Sequence, residues 1–119
     1  MGFKRFKILN NQVIDWAKDK GIFDKATPFS QHSKTLEEVE ELSEAITAQY
    51  AGEKEFTNDK GELKNTDEEI QDAIGDILVT LIIQAKMQGL AIEQCLETAY
   101  NVISKRTGKM VDGVFVKDK

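Results

Sequence analysis

The sequence contains one cysteine, Cys95, one histidine, His32, and one proline, Pro28. A single thiol excludes an internal disulfide and any zinc site built from several cysteines, and it fits a reducing, cytoplasmic compartment. One histidine removes His-rich metal sites and argues against a His-based catalytic triad. Long hydrophobic runs are missing too. The most apolar stretch, Ile74 to Ala85, is too short to cross a bilayer and carries Asp76, so it reads as a buried helix, and no membrane association is expected. The opening MGFKRFKILNN lacks the apolar segment of a signal peptide. Positive charge is also scarce, with 16 Lys and Arg against 21 Asp and Glu, a net of −5. A chain of that sign lacks the basic field that a nucleic-acid polymer or a membrane surface requires. No Gly-x-x-x-x-Gly-Lys phosphate loop is present. An anion can still be held through a metal ion bound by the chain's own carboxylates.

What is there suits one helical domain over residues 1–119. Hydrophobic residues make up 40% of the chain, enough for a core. A chain of this size leaves much apolar surface uncovered, which favours association with a second copy. Apolar spacing predicts four helices and an all-α, four-helix bundle. The first runs from about Phe3 to Asp19, through Phe6, Leu9, Val13, Trp16 and Ala17. The second begins at Thr27-Pro28 and continues through Leu36, Val39, Leu42 and Ile46 to Tyr50, stopped by Gly52. Residues 52–65 read as a polar surface loop. Thr66 with Glu69 matches a capping box that opens a third helix, which ends near Gln88 and Gly89. The fourth spans about Ile92 to Thr107, ended by Gly108. The β-branched residues around Asp112-Gly113 suit a short irregular or hairpin-like tail.

Acidic residues on helices ordinarily form a solvated face. At about 100° per residue, Asp72 and Asp76 lie about 40° apart on the third helix, with Glu69 nearby. The same stripe continues into Val79, Ile83 and Met87, so both aspartates are expected to point into the bundle. On the second helix Glu38 sits at the edge of the stripe of Val39, Leu42, Ala45 and Ile46, and Glu41 lies about one turn along on the same edge, with Lys34 between them in angle. Glu37 leans outward, while Glu40 and Glu44 lie on the opposite, solvated side. If the two helices pack side by side, Glu38, Glu41, Asp72 and Asp76 face one another with few local cations. Carboxylates so crowded repel unless they protonate or a divalent ion neutralises them. Mg²⁺ takes oxygen ligands and bridges carboxylates to phosphates, so a site for Mg²⁺ and a phosphorylated ligand is one reading. Acids paired with Lys34, Lys105 or Arg106 are the other.

At these residues the sequence resembles a known family. TLEEVEELSEAI followed by EIQDAIGDILVTLIIQA is similar to the all-α, MazG-like nucleoside triphosphate pyrophosphohydrolases. DWAKDKGIFDKATPFSQHSKTLEE and CLETAYNVISKRTGKMVDGVFVKDK extend the likeness over nearly the whole chain. Glu37, Glu38 and Glu41 match the family's Glu-Glu-x-x-Glu run, and Asp76 matches the aspartate of its Glu-x-x-Asp pair. Ala73 departs from the pattern, standing where the glutamate of that pair is usual, so Asp72 or Glu69 would have to supply the missing oxygen. The resemblance implies cleavage of an NTP or dNTP between its α- and β-phosphates, giving the monophosphate and pyrophosphate. Mg²⁺ is the expected cofactor, with Mn²⁺ as a substitute. Glu37, Glu38, Glu41, Asp72 and Asp76 are the candidate ligands, and Glu38 or Glu41 is the general base. The family also forms homodimers and homotetramers.

Candidate substrate contacts are Lys34, Arg106, Lys109, Asn101 and Trp16. Arg106 sits at the open end of the apolar stripe of Ile92, Cys95, Leu96, Ala99 and Ile103, where it could reach a phosphate or simply favour the helix C-terminus. Asn101 matches a family asparagine but points away from that stripe. Trp16 has core spacing as well as a face for a nucleobase. Gln31 and His32 precede the acidic run and are weaker candidates for base contact. Cys95 reads as a core residue. The rival from another class is a non-catalytic helical regulator or scaffold, which Ala73 keeps open.

Overall fold

The computed structural model describes residues 3–119. The chain is mostly helical, in the order α1 (Phe6–Asp19), α2 (Ile22–Lys25), α3 (Pro28–Tyr50), β1 (Glu55–Thr57), β2 (Leu63–Asn65), α4 (Thr66–Met87), α5 (Ile92–Ile103), β3 (Gly108–Val111) and β4 (Val114–Lys117). The expectation of four helices is corrected by the four-residue α2, a segment too short to show apolar periodicity. It follows Gly21 and leads into the cap of α3. Thr27 Oγ1 accepts from Ser30 N–H at 3.1 Å, the Ser30 hydroxyl receives Thr27 N–H at 2.8 Å, and Pro28 occupies the first turn. This reciprocal cap, together with the fixed φ of proline, sets where the long helix starts.

Residues 52–65 are not an irregular loop. β1 and β2 pair antiparallel, Glu55 with Asn65, Phe56 with Lys64 and Thr57 with Leu63. Three-residue strands this polar carry too few alternating apolar positions to be recognised as strands. The start of α4 is corrected as well. Asn65, not Thr66, is the cap, its Oδ1 accepting Glu68 N–H at 3.0 Å. Thr66 is buried, and its hydroxyl donates to the Glu53 carbonyl at 2.8 Å, tying the hairpin base to the helix.

α3 and α4 make the main seam, and α1 packs along α4. The seam is antiparallel with its register fixed by polar contacts. The Gln84 amide donates to the Pro28 carbonyl at 2.9 Å, and the Thr35 hydroxyl to Thr80 Oγ1 at 2.8 Å. Gln31, one of the candidates for base contact, is instead buried in this seam, donating to the Thr80 carbonyl at 3.2 Å. The same register carries Glu38 past Asp76 and Glu41 past Ala73. Small side chains allow the helices to approach: the buried apolar residues are Ala17, Ala45, Ala48, Ala73, Ala85, Ile82 and Ile83.

α5 does not complete a four-helix bundle. It leaves α4 at 99° and buries none of its residues. It ends at Ile103 rather than Thr107, because Gly108 opens β3. A Cβ at Gly108 would collide with the Val116 carbonyl and the Phe115 ring, so that strand position admits only glycine. β3 and β4 form the hairpin expected of the tail, turning through Asp112 (φ 50°) and Gly113 (φ 81°), the left-handed pair of a two-residue turn. The stripe of Ile92, Cys95, Leu96, Ala99 and Ile103 is therefore not core; Leu96 is 70% exposed, and Cys95 is only half-buried.

Candidate metal centre

α3 and α4 bring oxygens of Glu38, Glu41 and Asp76 within 4.8 Å of one another. Glu38 and Glu41 lie one turn apart on α3, and Asp76 crosses from α4 where Ala73 and Ala45 keep the seam narrow. Glu38 is the most enclosed, at 7% exposure, and its Oε2 has no hydrogen-bond partner. A buried carboxylate oxygen without a donor is costly, and supplying a cation or a proton relieves it.

The electrostatics carry the same strain. Burial, then Glu41 beside it, pushes the Glu38 carboxyl up to about 7, against the pull of Lys34. Glu41 moves the other way, held down by its hydrogen bond with Glu38 and by Lys60. The two carboxyls titrate together, and burial with their mutual repulsion resists ionising both at once. Asp76 is raised by burial and by the charge of Asp72, with Glu41 and Glu69 adding to it. Three carboxylates of which two resist ionisation are matched to a hard divalent ion. Oxygens gathered within 4.8 Å would need only small side-chain adjustments to take a shared divalent ion.

Of the other acids considered as ligands, Asp72 is exposed, contrary to the expectation that it points inward. The centre of the buried face of α4 runs through Ala73, Ile77 and Thr80, which places Asp72 at the rim. Glu37 leans outward, with its side chain 45% exposed and its pKa lowered by Lys60 and then Lys34. Glu69 is held by Lys64 at 3.5 Å.

Cations are nearer than the sequence suggested. Lys34 Nζ lies 3.3 Å from both Glu37 Oε1 and Glu38 Oε1. Burial works against its charge, but the two glutamates outweigh it and raise its pKa. Lys60, from the β1–β2 turn, lies 3.3 Å from Glu37 and 3.1 Å from Glu41. Periodicity along α3 cannot disclose it, since it arrives from a separate turn. The readable signal was Asn58-Asp59-Lys60-Gly61, a turn sequence between Phe56-Thr57 and Leu63. Glu44, expected to be solvated, accepts Asp59 N–H at 2.9 Å from the same turn.

Trp16 is 49% exposed rather than packed in the core. With Leu9, Gln12, Val13 and Val79 it lines a cavity of about 330 Å³ whose wall includes Asp76. His32 is exposed. Arg106, Lys109 and Asn101 are exposed on or beyond α5, and among the described residues none forms an ion pair or side-chain hydrogen bond with the acids. Lys105 and Arg106 therefore do not neutralise the cluster within the chain; Lys34 and Lys60 do.

Comparisons with curated proteins and with solved structures give no match. The family model of the MazG nucleotide pyrophosphohydrolase domain matches residues 26–111, from the turn before α3 to the end of β3. That span contains α3, α4 and all three converging carboxylates, and the chain belongs to the MazG nucleotide pyrophosphohydrolase family.

Proposed function

We propose that this protein hydrolyses a nucleoside or deoxynucleoside triphosphate to the monophosphate and pyrophosphate, in a reaction dependent on Mg²⁺, with Mn²⁺ as a substitute. The observation that carries the reading is the meeting of Glu38, Glu41 and Asp76, with a buried Glu38 oxygen left without a partner. These three would hold the ion, with Glu37 and Asp72 at the rim of the same centre. Bound there, it would offset polyphosphate charge and make a water more acidic. Glu38 or Glu41 then supplies the base, through a carboxylate oxygen free to take the proton of the attacking water. Lys34, beside Glu38, would meet a phosphate.

The cavity beside Asp76 supports a nucleotide as the ligand. Its volume suits a small planar group, and the half-exposed Trp16 offers a face on which a base can stack. Arg106, Lys109 and Asn101 enter this scheme through a second copy, in a homodimer or homotetramer. The radius of gyration is 17.0 Å, against about 13–14 Å for a compact chain of this length. The projecting α5 and β3–β4 arm exposes Leu96, Tyr100, Ile103, Met110 and Phe115 by half or more, an apolar surface that a neighbouring copy would cover.

The test is pyrophosphate release from a panel of NTPs and dNTPs with Mg²⁺, repeated with Glu41→Gln and Asp76→Asn. Both substitutions should reduce turnover at least 100-fold. Full activity in either one removes that residue from the centre. Ala73, buried where the family usually carries a glutamate, supports a second reading, a nucleotide-binding regulator without catalysis. Stabilisation by Mg²⁺ and a dNTP with no pyrophosphate released would select it.

A further inference from the structure

The turn between β1 and β2 is folded back onto α3 and held there by its own construction. The Asn58 carbonyl accepts Gly61 N–H at 2.9 Å, with Gly61 at φ 81°. The Asn58 side chain accepts Lys60 N–H at 3.0 Å and Glu62 N–H at 2.9 Å. An asparagine that satisfies two backbone donors reinforces a turn already closed by Asn58 N–H donating to the Glu62 carbonyl at 2.9 Å. One backbone bond then docks it: Asp59 N–H donates to Glu44 Oε2 at 2.9 Å. The following residue is Lys60, so its ammonium reaches Glu37 and Glu41 from a preorganised, anchored turn rather than from a loose surface chain.

Glu41 is claimed twice. Its Oε1 receives Lys60, and its carboxylate belongs to the group of three that converges with Glu38 and Asp76. A divalent ion among those oxygens would stand beside the Lys60 ammonium, and two cations so close on one carboxylate repel. Lys34 meets the same conflict less directly, since it pairs with Glu37 and Glu38 along one helix and keeps both partners in a local i,i+3 and i,i+4 geometry. Only Lys60 brings a separate element of the fold into the competition.

We infer that Lys60 is a built-in counter-ion of the acid cluster, that a divalent ion displaces it from Glu41, and that the docking of the β1–β2 turn on α3 is thereby linked to metal occupancy. This rests on reading Glu38, Glu41 and Asp76 as a metal site. Linkage requires reciprocity: whatever the turn gains by docking on the acids is lost from the affinity for the ion.

The experiment is calorimetric titration of the full chain with Mg²⁺, for the wild type, Lys60→Met and Lys60→Arg, with hydrogen exchange of residues 58–62 followed with and without the ion. The Lys60 side chain is more than half exposed, so neither variant disturbs the core. Lys60→Met should bind Mg²⁺ about two- to fivefold more tightly, the scale of a partly exposed ion pair. Lys60→Arg, which keeps the charge, should stay near the wild type. In the wild type, saturation with Mg²⁺ should raise exchange at the turn, Asp59 N–H included. Unchanged or weaker Mg²⁺ binding by Lys60→Met overturns the inference, as does exchange at the turn that ignores the ion. A folded wild type that takes up no Mg²⁺ removes the metal site itself, and this linkage with it. Metal binding by the wild type with no response at Lys60 strikes the linkage alone.

Discussion

Glu38→Gln should stabilise the metal-free protein at alkaline pH while leaving it unchanged in acid. In the folded chain, burial and Glu41 raise the Glu38 carboxyl to about 7 from an ordinary 4.5. Below about pH 4.5 it is neutral in both states, and the folded protein keeps the full benefit of the proton. Between about 4.5 and 7 the unfolded chain releases that proton and the folded one does not, so stability falls by up to about 1.4 kcal/mol per pH unit. Above about 7 both states are ionised and the loss is complete, about 3 kcal/mol from this group alone. The lowered pKa of Glu41 runs in the opposite sense and restores part of it. Glutamine copies the neutral, hydrogen-donating form of Glu38 and has no proton to release. It forfeits only the pair with Lys34, whose side chain is half exposed, a loss of at most about 1 kcal/mol. The expected gain at pH 8 is therefore about 1–3 kcal/mol, shrinking to nothing near pH 4.5. Urea unfolding in chelator between pH 4.5 and 8.5 measures it. Parallel curves for wild type and variant, or a less stable variant at pH 8, would refute the account of a buried carboxyl that resists ionisation.

Thr80→Val should destabilise by about 1–2 kcal/mol in the same assay, because Thr80 both donates to the Ile77 carbonyl at 2.7 Å and accepts from Thr35 at 2.8 Å inside the seam. Leu96→Asp and Phe115→Asp, placed on the exposed arm, should reduce the particle mass in light scattering to that of one chain while the far-ultraviolet circular dichroism is retained. A mass unaltered by either would show that the arm is not where copies meet.

The long helices were legible because their signals are local. Thr27-Pro28 names the start of α3, and the stripe through Val79, Ile83 and Met87 gives the inward side of α4 to within one position. That one position decided Asp72. A step of 100° separates it from Ala73, and the wheel cannot tell which of two adjacent residues sits nearer the seam. Glu38, Glu41 and Asp76 could be picked out because each flanks an apolar stripe on its own helix. Lys60, Glu44 and the cavity at Trp16 could not, since each depends on the way a turn or a third helix lies across the pair. α5 misled for a related reason. Its apolar face is as clear as that of any core helix, yet nothing in its sequence states that the helix leaves the bundle and keeps that face exposed.

Alanine links the two halves of this arrangement. At positions 45, 48 and 73 it allows α3 and α4 to approach closely enough for carboxylates from both helices to meet out of water. Among the described residues the same choice leaves no large side chain fully buried and keeps Leu36, Val39, Ile46, Leu78 and Leu81 at about 40% exposure or more. A seam so thin contributes little hydrophobic stabilisation of its own, since each alanine removes far less apolar area from water than a leucine would. Enlarging Ala73 to strengthen the core would push Glu41, across the seam, away from Asp76. On the proposed function, two sources would offset this: a cation that relieves the acids, and a second copy that covers the apolar arm. Both act by binding the folded chain alone, so each should raise the melting point in proportion to the logarithm of its concentration. The narrow seam that assembles the carboxylates would thus also make the fold depend on what it binds.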